Sequence, residues 1–406
     1  MTSLRSRFTT TGWYYLVVLL FILAGSILQQ LNLLMLLFSL MVFPLAWNWG
    51  TTRRCVASLS PRRNAPVRLF AGTSCRATVQ LQNRRRRRCW SVLVRDRLVR
   101  IQPQPQSFSP VAWTLQVPPR GTAEASYQPL QLPRGVYQWE ELELESSFPL
   151  GLVRSIGRQR QVQRLVVYPP LGQLTQAWRT RGGLRICWSQ GKPRRHSLLE
   201  GEFYALRDYL PGDNRRWIHW RSSARRDELI VRQFQESPSR RLCLVLDLWS
   251  PEFDKTESQV LEDLLSFVAT VLEDQVRQSG SELWLVLAAG SVQQVRGPAN
   301  RDTLHRAWEL LAGAWPQAAD PLPQLQQQWE TGREHRTELL VVSLTAEGQR
   351  RDKLQWLARK MDCLLWVDPQ RLSRFFQPPH QLAPHTPAVP GNPSHHPSQV
   401  PAGGRS

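Results

Sequence analysis

No charged residue occurs between Arg7 and Arg53. This run of 45 residues, Phe8 to Thr52, constrains the chain more than any other feature. It holds two apolar stretches, Trp13–Leu28 and Leu31–Trp47, parted by the polar step Gln29-Gln30-Leu31-Asn32. Each stretch, wound as a helix, is roughly 25 Å long, about the thickness of a hydrocarbon core. Trp13, Tyr14 and Tyr15 stand at one border and Trp47 and Trp49 at the other, where amphipathic rings favour the interface. A cleaved signal peptide fits poorly, because no small-residue cleavage site follows the first stretch and a second span comes at once. The spacing therefore predicts a transmembrane hairpin. Arg5 and Arg7 precede it and Arg53, Arg54, Arg62 and Arg63 follow it, so the arginine bias predicts both tails in the cytoplasm, with the anchor in the plasma membrane.

Beyond the hairpin the composition is that of a folded protein, which excludes a wholly disordered chain and a polytopic transporter. The formal net charge is +20, unevenly placed. Residues 53–100 hold fourteen arginines against one acid, whereas residues 241–370 hold thirteen basic and nineteen acidic residues. A basic isoelectric point is thus no argument for nucleic-acid binding by the whole chain. The six cysteines form no CxxC or CxxH pair, which argues against structural zinc and a disulfide framework.

Residues 55–170 read as β structure. Cys75–Leu81, Trp90–Leu98, Ala112–Val117, Ala125–Leu132, Tyr137–Leu144 and Val162–Tyr168 alternate or are rich in β-branched and aromatic residues, with Pro/Gly turns between them. Six short strands predict a small β-sandwich. Arg84–Arg88, five consecutive arginines between two of these strands, is read first as a solvated tip or a contact with anionic lipid. Membrane-tethered nucleic-acid binding through it is a weaker alternative.

From Arg241 the period changes. Continuous apolar runs at Leu242–Leu246, Leu283–Ala288, Leu339–Ser343 and Cys363–Val367 alternate with helical patterns at Glu257–Gln278, Thr303–Ala312 and Lys353–Arg359. The alternation predicts a parallel sheet covered on both faces over residues 241–370. Residues 371–406, rich in Pro, Gln, His and Ser, read as a disordered tail.

Between the two folded parts, residues 171–240 form a linker with an unusual segment over residues 201–232. It contains Arg207-Asp208-Tyr209, Pro211-Gly212-Asp213, Arg215, Ile218-His219-Trp220 and Ser223-Ala224-Arg225 before a strand-like Leu229–Arg232. This resembles the signature of the bacterial family known as domain of unknown function 58. Ser147-Phe148-Pro149-Leu150-Gly151-Leu152 similarly resembles that family's turn at the end of its β region. The resemblance implies a membrane-anchored protein with a von Willebrand factor A-like, doubly wound parallel sheet. It also implies partnership with AAA+ ATPases of the MoxR type, and brings no established reaction.

Read physically, Pro211 and Gly212 set a turn and Asp213 or Asn214 caps a helix through Trp220. Arg207, Asp208, Asp213, Arg215, His219 and Arg225 converge either as a structural ion network or as an acid/base site. Nothing nearby supplies a nucleophile or a cofactor cradle, so the network reading leads and a hydrolase or transferase is the alternative. Metal-binding A-domains place Asp-x-Ser-x-Ser after the first strand; this chain has Asp247-Leu248-Trp249-Ser250-Pro251. Losing two hydroxyls to Trp249 and Pro251 predicts a domain without a bound magnesium ion. Asp247 and Trp249 are then expected at the carboxyl edge of the sheet as a protein contact. The functional expectation is a membrane-anchored, non-enzymatic scaffold or adaptor without cofactors, whose partners are a protein, such as a MoxR-type ATPase, and membrane lipid.

Overall fold

The computed structural model describes residues 3–30, 32–180, 202–210, 217–235, 241–253, 257–277, 282–329, 337–345, 350 and 363–381. Strand β1 (Ser3–Phe8) leads into helices α1 (Thr10–Gln29) and α2 (Asn32–Ser58). Both helices are long and apolar enough to cross a bilayer. Their outer faces leave Phe21, Leu28, Leu33 and Phe43 each more than two-thirds exposed. α2 continues well past Trp47, carrying Arg53 and Arg54, and passes directly into strand β2 (Leu59–Asn64). The stretch expected to end at Trp47 runs on to Ser58, and Asn48, Thr52 and Val56 bury one face of the added turns.

The β region consists of two facing sheets and a two-stranded ladder of Ser74–Cys75 with Leu130–Gln131. The larger contains β1 together with β4 (Cys89–Gln102), β5 (Val111–Val117), β7 (Gly135–Ser146) and β8 (Val153–Tyr168). The short strands Arg68–Phe70 and Gln106–Phe108 complete it. The smaller joins β2 to β3 (Thr78–Asn83) and β6 (Thr122–Ser126). Val79 and Leu81 from the small sheet and Val92, Val94, Trp139 and Leu142 from the large one share a single apolar core. A buried ion pair bridges the sheets: Arg63 donates from Nε and an Nη to both oxygens of Asp96, each at 2.7 Å. Tyr127 donates to the same carboxylate, and the guanidinium lies 4.9 Å from the Trp139 ring centroid. Burial raises the Asp96 carboxyl, and these donors oppose the rise.

The N-terminal residues, expected only as a tail before the hairpin, form strand β1. Ser3–Phe8 pairs antiparallel with Arg158–Val153 at the edge of the large sheet. The residues before α1 therefore join the larger sheet, whereas β2, directly after α2, enters the smaller one. The turn Ser147–Leu152, expected to close the β region, instead joins β7 to β8 inside it.

The following α/β region centres on strands β11 (Arg241–Asp247), β12 (Glu282–Ala289), β13 (Ser291–Pro298), β14 (Thr337–Ser343) and β15 (Cys363–Val367). Their spatial order is β13-β12-β11-β14-β15, parallel except for β13, which turns back on β12 as a hairpin. β13 escaped the sequence reading because its polar, edge-type pattern has no continuous apolar run. Alternate residues of β11 enter two cores. Leu242, Leu244 and Leu246 meet α4 (Ser258–Arg277) and α5 (Arg301–Gly313), while Cys243 and Val245 meet α6 (Leu322–Trp329). The helix expected at Lys353–Arg359 lies outside the described residues.

The linker and tail are more structured than expected. Gln173–Leu174 pairs with Phe376–Gln377, and Trp178 is buried against Phe267 and Phe375. Helix α7 (Pro369–Phe375), capped by Asp368, follows β15 directly, so structure continues through Gln381 and not only to residue 370. The β and α/β regions share a core in which Val136, Val166 and Tyr168 pack with α4 and α5. Arg134, in the turn before β7, fastens this junction. Its Nη1 donates to the carbonyls of Leu311, Ala312 and Ala314 at 2.8–2.9 Å, and its other nitrogens reach Glu262 at 3.0–3.2 Å. It thereby satisfies the open carbonyls at the end of α5.

Candidate functional site

The signature segment folds as a small unit of its own. Strand β9 (Glu202–Asp208) pairs antiparallel with β10 (Ile230–Gln235), and the short helix α3 (Trp220–Arg226) sits between them. Sequence reasoning ended a helix at Trp220; the helix begins there. Its cap is His219, whose Nδ1 accepts from the Ser222 amide at 3.2 Å. An amide can only donate, so Nδ1 holds a lone pair and the ring proton is on Nε2. Ser222 Oγ lies 2.7 Å from the same nitrogen. Ser223, named in the signature but given no role there, is buried and bonds across the unit. Its hydroxyl donates to the His219 carbonyl at 3.2 Å and accepts from the Ile230 amide at 2.9 Å.

These bonds place the signature residues in a structural setting. His219 caps a helix, its amide donates to Ile230, and the Tyr209 amide donates to Leu229. Arg207 Nη1 donates to the Asp208 carbonyl at 3.1 Å. Asp208 and Arg225 face solvent. Pro211, Gly212, Asp213 and Arg215 lie outside the described residues, as does Asn214. The unit also exposes Leu206, Leu210, Trp220 and Leu229, with Leu210 and Trp220 more than three-fifths accessible.

A second arrangement lies at the carboxyl edge of the parallel sheet, where open α/β sheets present ligand sites. Asp247 ends β11 and is almost fully buried. Both its oxygens are taken by Arg350, from Nε at 3.0 Å and from Nη2 at 3.2 Å. Arg350 is itself fully buried, and its Nη1 reaches Asp320 at 2.8 Å. Trp249 covers the guanidinium, with the ring centroid 4.1 Å from Cζ, and its Nε1 donates to the Ala318 carbonyl at 2.9 Å. Burial raises the Asp247 carboxyl, opposed by the Arg350 charge and the Trp249 amide.

Asp247 and Trp249, expected together as a protein contact at this edge, are held here by Arg350. The carboxylate is sealed by a cation from the chain itself, and the half-buried indole is the lid over that cation. Arg350 and Asp320 gave no signal in the sequence. Arg350 stands in an ordinary charged stretch and Asp320 alone in an uncharged one, and only the fold brings them to the strand end. Ser343, which ends the neighbouring strand, bonds instead to Thr345. Among the described residues no cluster of three His, Cys, Asp or Glu side chains is placed to hold a metal.

A cavity of about 870 Å³ opens elsewhere, between the β and α/β regions, lined among others by Phe70, Arg100, Arg134, Glu262, Asp263, Trp315 and His380. Its charges are largely matched. Glu262 meets Arg134, and Asp263 accepts from Gln259 at 2.9 Å and lies 3.5 Å from His380. Neither the signature unit nor Asp247 lines it.

Comparison with known proteins follows the signature unit and the α/β region. Residues 205–371 match the family model described as protein of unknown function DUF58. An uncharacterised protein, YeaD of Bacillus subtilis (strain 168), is 26% identical over 156 residues, which is 37% of this chain and 36% of that protein. The match thus spans about a third of that relative's length. Solved structures give weaker likenesses. A β-glucosidase from Listeria innocua has a TM-score of 0.19 at 10% identity, over 27% of this chain and 16% of that one. The PilB minor pilin from Streptococcus sanguinis has a TM-score of 0.19 at 7% identity, over 62% and 55%. Likeness at that level establishes no common fold.

Proposed function

From its DUF58 segment over residues 205–371, we propose that this chain is a membrane-anchored, non-enzymatic adaptor that presents its signature unit and a von Willebrand A-like sheet to a protein partner in the cytoplasm. The observation that carries the reading is the exposed apolar surface of Leu206, Leu210, Trp220 and Leu229 on that unit. The resemblance stated for the signature names the partner class, a MoxR-type AAA+ ATPase. The closure of Asp247 by Arg350 supports a contact that needs no bridging divalent ion, because the carboxylate such an ion would use is already neutralised.

Anchoring is supported by the apolar exterior of α1 and α2, which water would not tolerate as a patch of that size. The pairing of β1 with β8 supports retention of the N-terminus, since cleavage within the first apolar stretch would strip a strand from the sheet. It also supports an even number of crossings, because β1 and β8 must lie on one side. The arginines around the hairpin assign that side to the cytoplasm. Arg84–Arg88 is exposed at a loop held by Asn83, beside the end of α2. Ten helical residues lie between Trp47 and Ser58, so the loop meets α2 about 16 Å along its axis from Trp47, which favours a solvated tip for the pentad. Arg7, Arg53 and Arg54 are the residues in reach of anionic headgroups.

The test separates the adaptor from an enzyme built on the same segment. Leu210→Ser with Trp220→Ser should leave the melting temperature nearly unchanged and abolish co-purification of the ATPase from membranes. His219→Ala should lower the melting temperature by removing a helix cap. Retained co-purification in the double variant, or a His219→Ala protein of full stability that has lost activity in cells, would refute the adaptor reading.

A further inference from the structure

The turn Ser147–Leu152 is not absorbed by the adaptor reading, and its surroundings are unusual. It sits where both apolar helices leave their apolar stretches. Thr9, the cap of α1, donates through Oγ1 to the Gly151 carbonyl, and its amide donates to the Leu152 carbonyl at 3.1 Å. Asn48, one residue beyond Trp47 and fully buried, donates to the Ser147 carbonyl at 3.4 Å and accepts from the Val153 amide at 2.9 Å. Gly12 allows the close approach, since a methyl there would overlap the Leu152 carbonyl oxygen. The turn is thus clamped to the first turn of α1 and to α2 at the level of Trp47.

At that level the turn offers apolar side chains outward. Phe148 and Leu150 are 44% and 45% exposed, while Leu152 points inward and is buried. Around them stand Trp13, Trp47 and Trp49, all exposed, with Phe8 against Trp13 and Trp49 at ring distances of 5.8 and 5.7 Å. Arg7, Arg53 and Arg54 are exposed nearby in the chain. An aromatic belt flanked by arginines is the composition of a bilayer interface. Trp90 backs Phe148 at 5.9 Å, which orients the ring without covering it.

We propose that the turn Ser147–Leu152 is a third membrane contact, in which Phe148 and Leu150 insert at the boundary of headgroups and acyl chains beside the two helices. The proposal rests on the reading that α1 and α2 span the bilayer. Inserted side chains gain the transfer free energy of apolar surface, and the clamp to Thr9 and Asn48 spares the entropy of ordering a loose loop. The contact fixes the tilt of the β region against the membrane, which two helices alone would leave free to rock.

The test uses the full chain, cysteine-free, in vesicles of phosphatidylcholine and phosphatidylglycerol. Nitroxides at positions 150, 20 and 302 report access to oxygen and to a water-soluble nickel chelate. Position 20 stands for the span and position 302 for the aqueous domain. Position 150 should be several-fold less accessible to the chelate than position 302 and intermediate in oxygen access. Chelate access at 150 equal to that at 302, with position 20 lipid-like, overturns the inserted turn and leaves the anchor standing. Aqueous behaviour at position 20 as well overturns the anchor and the turn together. Should the cysteine-free chain not fold, the wild-type chain with an acyl-chain diazirine phosphatidylglycerol serves instead. Adducts on the peptide holding Phe148 and Leu150 support the proposal, and adducts confined to α1 and α2 overturn it.

Discussion

Arg350 shows what a single residue decides here. Its guanidinium takes both oxygens of Asp247, and both partners are buried. Arg350→Met strands a buried carboxylate and should cost about 3–5 kcal/mol, read as a lower melting temperature of the full chain in detergent micelles. Arg350→Met combined with Asp247→Leu removes both charges and should recover most of that loss. A double variant no more stable than the single one would contradict the pairing. Only Asp247 was legible beforehand, because its place after an apolar strand is a local pattern. Arg350 was not, since an arginine that ends in a core looks like any surface arginine until the chain folds.

His305 supplies a pH dependence at the same scale. Desolvation lowers its imidazole below the ordinary value, with the Arg68 charge adding to it and Asp302 and Glu309 opposing. The ring stacks on Tyr168 at 5.9 Å and lies 5.6 Å from Trp308. With the folded value depressed, the unfolded chain binds more protons in the window below about 6.5. Stability should therefore be full above that pH and fall as the pH drops through the window. Denaturant titrations from mildly alkaline to mildly acidic pH should show the fall, and His305→Phe should flatten it. An unchanged slope in the variant would assign the dependence to other groups.

Among elements, the decisive contact is the turn before β7 set against the end of α5. Arg134→Ala opens three carbonyls and leaves Glu262 without its partner. A loss of about 2–3 kcal/mol is expected, less than for a sealed pair because Glu262 is partly exposed. Arg134→Lys should recover only part of it, lacking the planar fork. Thermal unfolding with separate probes in the two regions should then show transitions drifting apart. Coincident transitions in Arg134→Ala would mean that the shared core alone couples the regions. The sequence announced Pro133-Arg134-Gly135 as a turn, since turn chemistry is local. It was silent on what the turn grips, because the carbonyls of residues 311–314 lie far along the chain. The same contrast explains β1, six residues of mixed polarity whose strand character comes only from the free edge of β8.

At the largest scale, two long apolar helices are flanked by strands that enter the two facing sheets of the β region, which is clamped to an α/β region. Its outline was readable because absence of charge, alternation and continuous apolar runs are one-dimensional signals. The candidate site was less readable, because the signature residues serve as caps and strand pairs whose meaning depends on their partners. One topological outcome follows. Reporter fusions after Thr52 and at the C-terminus should lie on the same side, the cytoplasmic one, and a reporter exported at either position would break the pairing of β1 with β8 as an account of the anchor. The central claim is metal-independent binding of a protein partner through the signature unit. The most direct measurement places the full chain in lipid nanodiscs and titrates it with a purified MoxR-type ATPase from the same cell, with and without a chelator. The account predicts saturable binding that the chelator does not weaken and that Leu210→Ser with Trp220→Ser abolishes. Binding lost on chelation, or undiminished in the double variant, would contradict it.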